Sequence, residues 1–393
     1  MNESLYLNAE DYCAVECNDR RFYMAVAGTI LSFVSLFCNV LIAKVLYSSN
    51  HKHFFFLALL AISDSFLSFM YGPVIAMDII KDKLQILWLT RFYLSYVGPL
   101  LSLCQVSMTF SCYLIMLATI ERYLITQRSK CLKRFRRNRG LMAFIMFLLS
   151  LLLRGTLVFE IQMDKNGDCT GISEYVPGFT EIVDTMWYGT VFRFYIRNIL
   201  TVFLPFFLLA YLNYRIVRTL RRQHRMAKLF RIASDHKRKI RSATRLLVLI
   251  VCSYLIANVL NVLITLWEYV AFQSTQTQEA YVIYEFCTDV ISVLYVLVCA
   301  TRLFVYITCN MEIRDAMVDQ LCSKRTRKKG KDDDDYCSRK VVTDADAVEI
   351  AVTRHLFHFD VSRAQNGDGN NSLENSMLVK SNTDKVYKTS EIL

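Results

Sequence analysis

What this chain does not contain excludes several kinds of protein. Alternating polar and apolar segments of the outer-membrane barrel type are absent, so strands are not expected to satisfy a membrane-buried backbone. The thirteen cysteines include no paired-Cys or Cys/His spacing of a metal site, and no metal or other cofactor is expected. The acids set in apolar surroundings, Asp64 and Glu121, have no nucleophile or metal constellation beside them, which argues against an enzyme. A repeat between halves and a continuous polar path are both missing, which disfavours a transporter or a ligand-gated channel. Residues 1–21 lack the basic start and apolar centre of a cleavable signal peptide, so the first apolar run is expected to serve as the insertion signal.

What is present is apolar sequence. Of 393 residues 54% are hydrophobic, too many for a soluble protein with one or two ordinary cores. Runs able to cross about 30 Å of hydrocarbon, roughly 20 residues each, occur near 22–47, 54–78, 92–125, 140–161, 190–217, 242–268 and 282–308. The fold class expected is therefore all-α, a seven-transmembrane helix bundle. Arg128, Lys130, Lys133, Arg134, Arg136, Arg137 and Arg139 crowd the third connection, and Arg215 to Arg245 flank the fifth, whereas residues 270–281 have no basic residue. The positive-inside bias then puts the N-terminus outside and the C-terminus in the cytoplasm. The net charge of +11 is read as topology plus attraction to anionic membrane lipids, and no nucleic acid is expected as a partner.

Polar residues inside the apolar runs stand out because each needs a partner. Asn39 lies in Phe37-Cys38-Asn39-Val40-Leu41 of the first run, and Asp64 closes Leu60-Ala61-Ile62-Ser63-Asp64 near the middle of the second. The third ends in Glu121-Arg122-Tyr123, a charged pair at the membrane border. A plain reading of Arg122 is snorkelling to the headgroups.

These residues, in this order, resemble the rhodopsin-like G-protein-coupled receptor family. Further matches are Pro205 in the fifth run, Arg241-Ser242-Ala243-Thr244-Arg245 at the start of the sixth, and Tyr306 near the end of the seventh. The resemblance spans about residues 22–320, and overall it looks most like invertebrate FMRFamide-type neuropeptide receptors. It implies a plasma-membrane receptor for an extracellular peptide ligand that activates a heterotrimeric G protein. Glu121, Arg122, Tyr123 and Tyr306 would form the coupling switch, with Glu121 the resting partner of Arg122. A divergent chemosensory receptor for a small molecule is the alternative.

The departures from the family pattern are specific. The fourth run has no tryptophan at the usual place and carries Arg154. The sixth has Leu260 in place of the kink proline, so it should keep its hydrogen-bond ladder and bend less, and Asn258 replaces the aromatic switch residue. In the seventh, Arg302 and Leu303 replace both the asparagine and the proline of the Asn-Pro-x-x-Tyr box that ends here at Tyr306. In the family that asparagine lies close to the position of Asp64, with Ser111 nearby. Because an arginine near the membrane centre costs about 2.5–3.5 kcal/mol on insertion scales, a buried Asp64–Arg302 ion pair is expected, displacing the sodium ion common in that pocket.

Helix spacing from these anchors places Gln105, Arg197, Asn261, Thr265, Ser292 and Tyr295 toward the outer half of the bundle interior. Glu268, Glu285 and Asp289 join them at the mouth, where Asp78, Glu160, Asp164, Asp168, Glu174, Glu181 and Asp184 complete an acidic rim. Such a rim would concentrate a cationic ligand, and an arginine-containing peptide fits it. Arg193 and Arg197 on one helical face could instead pair with those acids. The family's disulfide between the third helix and the following outer loop has a loop partner in Cys169. Cys104, however, lies seven residues deeper than expected on the third helix, about 10 Å at 1.5 Å per residue, beyond ordinary disulfide reach. Cys13 or Cys17 bonded to Cys169, or a Cys13–Cys17 bridge, stays open.

The organisation expected is an extracellular N-terminus over 1–21, the receptor domain over 22–320 and a disordered cytoplasmic tail over 321–393. Asn2 is in a glycosylation sequon. Residues Asn310 to Met317 read as a short amphipathic helix on the membrane surface, followed by Cys322 as a palmitoylation candidate. The serines and threonines of the tail offer phosphorylation sites for a desensitising partner such as arrestin.

Overall fold

The computed structural model describes residues 19–48, 54–165, 171–230, 235–270, 278–309 and 313–318. Within them, seven helices are long and apolar enough to cross a membrane: Asp19–Tyr47, Phe55–Leu84, Leu87–Thr126, Arg139–Glu160, Met186–Arg222, Ser242–Val270 and Val282–Cys309, here the first to seventh spans. The third begins at Leu87 and the fifth at Met186, a few residues before the apolar runs do. A helix closes its hydrogen bonds within its own segment, so it needs no hydrocarbon to continue.

The third span is the axis of the bundle. From Ser111 to Thr119 every residue is buried, so this stretch is enclosed on all faces. The first, second, fifth and sixth spans close round it with Ile42, Leu60, Leu209, Leu246 and Ile250, and Tyr306 of the seventh completes the same cluster. The fourth span lies outermost. It buries Ala143, Ser150 and Leu153 and leaves Phe144, Leu148 and Leu152 exposed, an apolar face suited to lipid.

Two prolines lie where helices change winding, whereas Pro99 stays inside the α-helix of the third span. Pro73 sits in a π-helical turn, Gly72–Ala76, inside the second span. The tyrosines of the third span reach the carbonyls there, Tyr96 donating to Pro73 O (3.1 Å) and Tyr93 to Val74 O (3.1 Å). The fifth span is π-helical over Met186–Arg197 and Ile199–Phe203, ending just before Pro205. In an i→i+5 ladder the carbonyl facing Pro205 is that of Leu200, and proline has no N–H to give it. Tyr113 caps that carbonyl from the third span at 3.2 Å. By contrast the sixth span belongs to one unbroken α-helix, Asp235–Val270, as expected with Leu260 where a proline would sit.

An addition to the all-helical pattern is a hairpin after the fourth span. Strand β1 (Ile161–Lys165) pairs antiparallel with β2 (Tyr175–Phe179), Ile161 facing Phe179 and Lys165 facing Tyr175. At the opposite end of the bundle, residues 313–318 form a helical turn. Its Ile313 and Met317, one turn apart, pack on the core, while Asp315 points to solvent. Asn2, Cys13, Cys17, Cys169, Cys322 and the 321–393 tail lie outside the described residues. No disulfide is found among the described cysteines, and Cys104 is a buried free thiol.

Candidate functional site

Three polar stations lie along the third span. At the hairpin end is a cavity of about 430 Å³ bounded by the second to seventh spans. Gln105, Asn261, Thr265, Glu268, Ser292 and Tyr295 line it, together with Arg154, Asn198, Thr201 and Asn258. At its inner end the Tyr254 hydroxyl donates to Cys112 Sγ at 2.9 Å, joining the sixth span to the third. Asn258 spends its amide on the Tyr254 carbonyl one turn back, 2.9 Å.

Two residues assigned to that wall by helix spacing are turned elsewhere. Arg197 is bidentate on Glu160, with Nη1–Oε1 2.5 Å and Nη2–Oε2 3.3 Å. Arg193 adds a contact to the same carboxylate at 3.1 Å, and the Tyr188 hydroxyl donates to it at 2.8 Å. Glu160 is fully buried, and a buried carboxylate is stable only when paired and hydrogen-bonded. Asp289 meets Arg21 of the first span at 3.3 Å and does not line the cavity. The side chain of Glu285 lies outside the described residues.

Part of the acidic rim is therefore neutralised. Asp78 contacts Lys81 (3.2 Å) and Arg21 (3.9 Å), and Glu174 contacts Arg91 (3.1 Å) and Lys165 (3.4 Å). These pairs compensate Asp78, Glu160, Glu174 and Asp289 of the rim, whereas Asp164, Glu181 and Asp184 make no ion pair among the described residues. Glu268 is the acid that remains on the cavity wall, with the Tyr284 hydroxyl against it.

The second station is closed. Asp64 is wholly buried and forms an ion pair with Arg302, itself 3% exposed. Ser111 donates to the other carboxylate oxygen at 3.4 Å, and lies 2.8 Å from Ser63 Oγ, which continues to Ser107 at 2.8 Å. Asn39 ties the first span to the seventh through Cys299 O (3.1 Å) and bonds Ser35 O on its own helix (2.9 Å). Arg302 thus faces inward rather than snorkelling to the surface.

At the basic end Glu121 and Arg122 are buried, at 3% and 7% exposure, and Tyr123 is half-buried. Glu121 is held by Arg139 at the start of the fourth span and by Arg136 at 3.4 Å, from the short helix Leu132–Arg137. Arg122 makes no ion pair among the described residues. This corrects the expectation that Glu121 holds its neighbour: the carboxylate turns to the connecting helix. Ser242 donates to the Cys309 carbonyl, fastening the sixth span to the seventh at this end.

The order of these stations matches a known pattern. The family model described as "7 transmembrane receptor (rhodopsin family)" matches residues 38–306. The chain belongs to that family. The receptor is similar in fold to squid rhodopsin in its crystal structure, with a TM-score of 0.55 over 87% of this chain and 97% of that one, at 14% identity. Among curated proteins none matches. As a rhodopsin-family receptor it is a multi-pass membrane protein of the G-protein-coupled class.

Glu160 entered the sequence reading as a rim acid, with pairing to Arg193 and Arg197 left open, and that pairing is the one found; Arg136 and Arg139 entered only as basic residues of the third connection, and Arg154 only as a departure from the pattern. The four-residue step from Arg193 to Arg197 puts both on one helix face and was a usable signal for a buried acid opposite. The grip on Glu121 had no comparable signal.

Proposed function

We propose that this receptor binds an extracellular peptide in the cavity at the hairpin end and activates a heterotrimeric G protein at the opposite end, where Arg122 lies. The observation that carries this reading is the succession along the third span of an open polar cavity at 105–112, the closed Asp64–Arg302 ion pair that Ser111 reaches, and a buried Arg122 that no carboxylate pairs among the described residues. A G protein entering the basic end would meet an arginine that no ion pair among the described residues holds. Basic residues at 128–139 support a cytoplasmic position for this end, and the hairpin end is then outside. Tyr306, buried between the ion pair and that end, is assigned to the same switch. Arrestin is proposed as the partner of a phosphorylated tail.

FMRFamide-like amidated peptides, with and without acidic side chains, are the first class to test. The experiment is a G-protein activation screen on cells expressing the full chain against a library of amidated peptides. Ligand-dependent nucleotide exchange is expected, and a robust ligand-gated current without G protein would overturn the reading. A second reading, a chemosensory receptor for a small molecule, is favoured by the cavity volume, which falls in the range of small-molecule sites. Activation by small metabolites but by no peptide would select it.

A further inference from the structure

The arginines inside the bundle are not equivalent. Arg302 ends on Asp64, and Arg193 and Arg197 both end on Glu160. Arg154 ends on a hydroxyl: its Nη2 donates to Thr201 Oγ1 at 2.8 Å, and its buried Nε has no partner. It makes no ion pair among the described residues. It also lines the cavity, beside Thr201 and Asn198 of the fifth span.

At the hairpin end of the fourth and fifth spans this leaves three guanidiniums, Arg154, Arg193 and Arg197, against one carboxylate, Glu160. Arg154 closes the α-helix Arg139–Arg154, toward the hairpin end of the fourth span, and a neutral hydroxyl compensates a guanidinium there less than a carboxylate does. Its fork of donors matches a carboxylate in two-point geometry. We propose that Arg154 is a carboxylate-recognition residue of the ligand site, so that the peptide this receptor binds carries an acidic side chain or a free C-terminus. The proposal rests on the cavity being the ligand site, and it reverses the cation preference suggested by the acidic rim.

The test uses the purified full-length receptor in detergent micelles, read by thermal stabilisation, with three tetrapeptide pools. One pool is amidated and free of Asp and Glu, one is amidated and contains them, and one has free C-termini without them. The second or third pool should stabilise the receptor and the first should not; which of the two does so identifies the source of the carboxylate. Arg154→Gln should require at least tenfold more of the effective pool for the same shift, and Arg154→Lys should keep part of the preference. Equal stabilisation by the first pool, no stabilisation by any pool, or an unchanged preference in Arg154→Gln would overturn the proposal. If Arg154→Gln does not fold, the pool comparison on the native chain decides alone. Because no G protein is present, carboxylate binding without signalling would sink the coupling function and leave this inference standing.

Discussion

Arg302 and Arg154 are both arginines set within membrane spans, yet the regions around them differ in kind. Around Arg302 the bundle is closed: a carboxylate, two serines and packed helices leave the guanidinium 3% exposed. Around Arg154 it is open, with one hydroxyl contact and a cavity. The first arrangement stabilises the bundle by compensating both charges at once. The second leaves a charge that no carboxylate pairs among the described residues, and its complement is assigned to the ligand. A buried ionisable residue in this receptor is thus read by what its partner is, more than by its depth.

The largest expected effect breaks the closed region. Removing one member of a buried pair strands the other, at about 3–5 kcal/mol. Asp64→Leu should therefore abolish most surface expression, whereas Asp64→Leu combined with Arg302→Leu should restore much of it, since a well-packed apolar pair is often neutral. Exchanging the two charges should also recover expression lost in Asp64→Arg. Flow cytometry on a tagged receptor measures all of these, and the absence of any rescue would separate the two residues.

Next comes the basic end. Arg122→Ala should eliminate nucleotide exchange on the G protein while ligand affinity stays within about threefold, because the residue is remote from the cavity lining. Undiminished exchange would remove the triplet from the mechanism. Loosening its neighbour tests the same point: Arg139→Gln should release Glu121 toward Arg122 and lower basal exchange. A rise in basal exchange would show instead that the grip on Glu121 restrains the receptor.

Smaller effects come from single hydrogen bonds. Tyr113→Phe leaves the Leu200 carbonyl without its cap, a change of about 1 kcal/mol, visible as a modest fall in Tm. Arg154→Gln should be the mildest in stability, within about 1 kcal/mol, because one hydrogen bond is exchanged for a smaller desolvation cost. A loss as large as that of Asp64→Leu would mean that Arg154 is as structurally committed as Arg302, and the contrast between the regions would fail.

Sequence patterns reached the seven spans because hydrocarbon thickness and helical rise dictate their length. The Asp64–Arg302 pair was legible because two costly charges on adjacent helices have few ways to be satisfied. The straight sixth helix followed from Leu260, since an amide N–H stands where the family has none. Arg197 was assigned to the wrong wall for a physical reason. Met186–Arg197 winds as a π-helix, so a face counted at 3.6 residues per turn is rotated away from its true direction. Asp289 was misplaced because Arg21, a residue near the start of the neighbouring first span, draws it away from the cavity.

Composition and spacing alone determined that this chain spans a membrane seven times, which residues in it must find polar partners, and that its basic connections share one end. Hydrophobicity and helix geometry act locally, so the linear order of residues carries them. Which acid meets which base was decided only by tertiary structure: Glu121 with Arg139, Glu160 with Arg197, Asp289 with Arg21, and Arg154 with no carboxylate among the described residues. Those choices depend on helix rotation and on where a short connecting helix packs, and a displacement of a few ångströms is enough to make or break each pair.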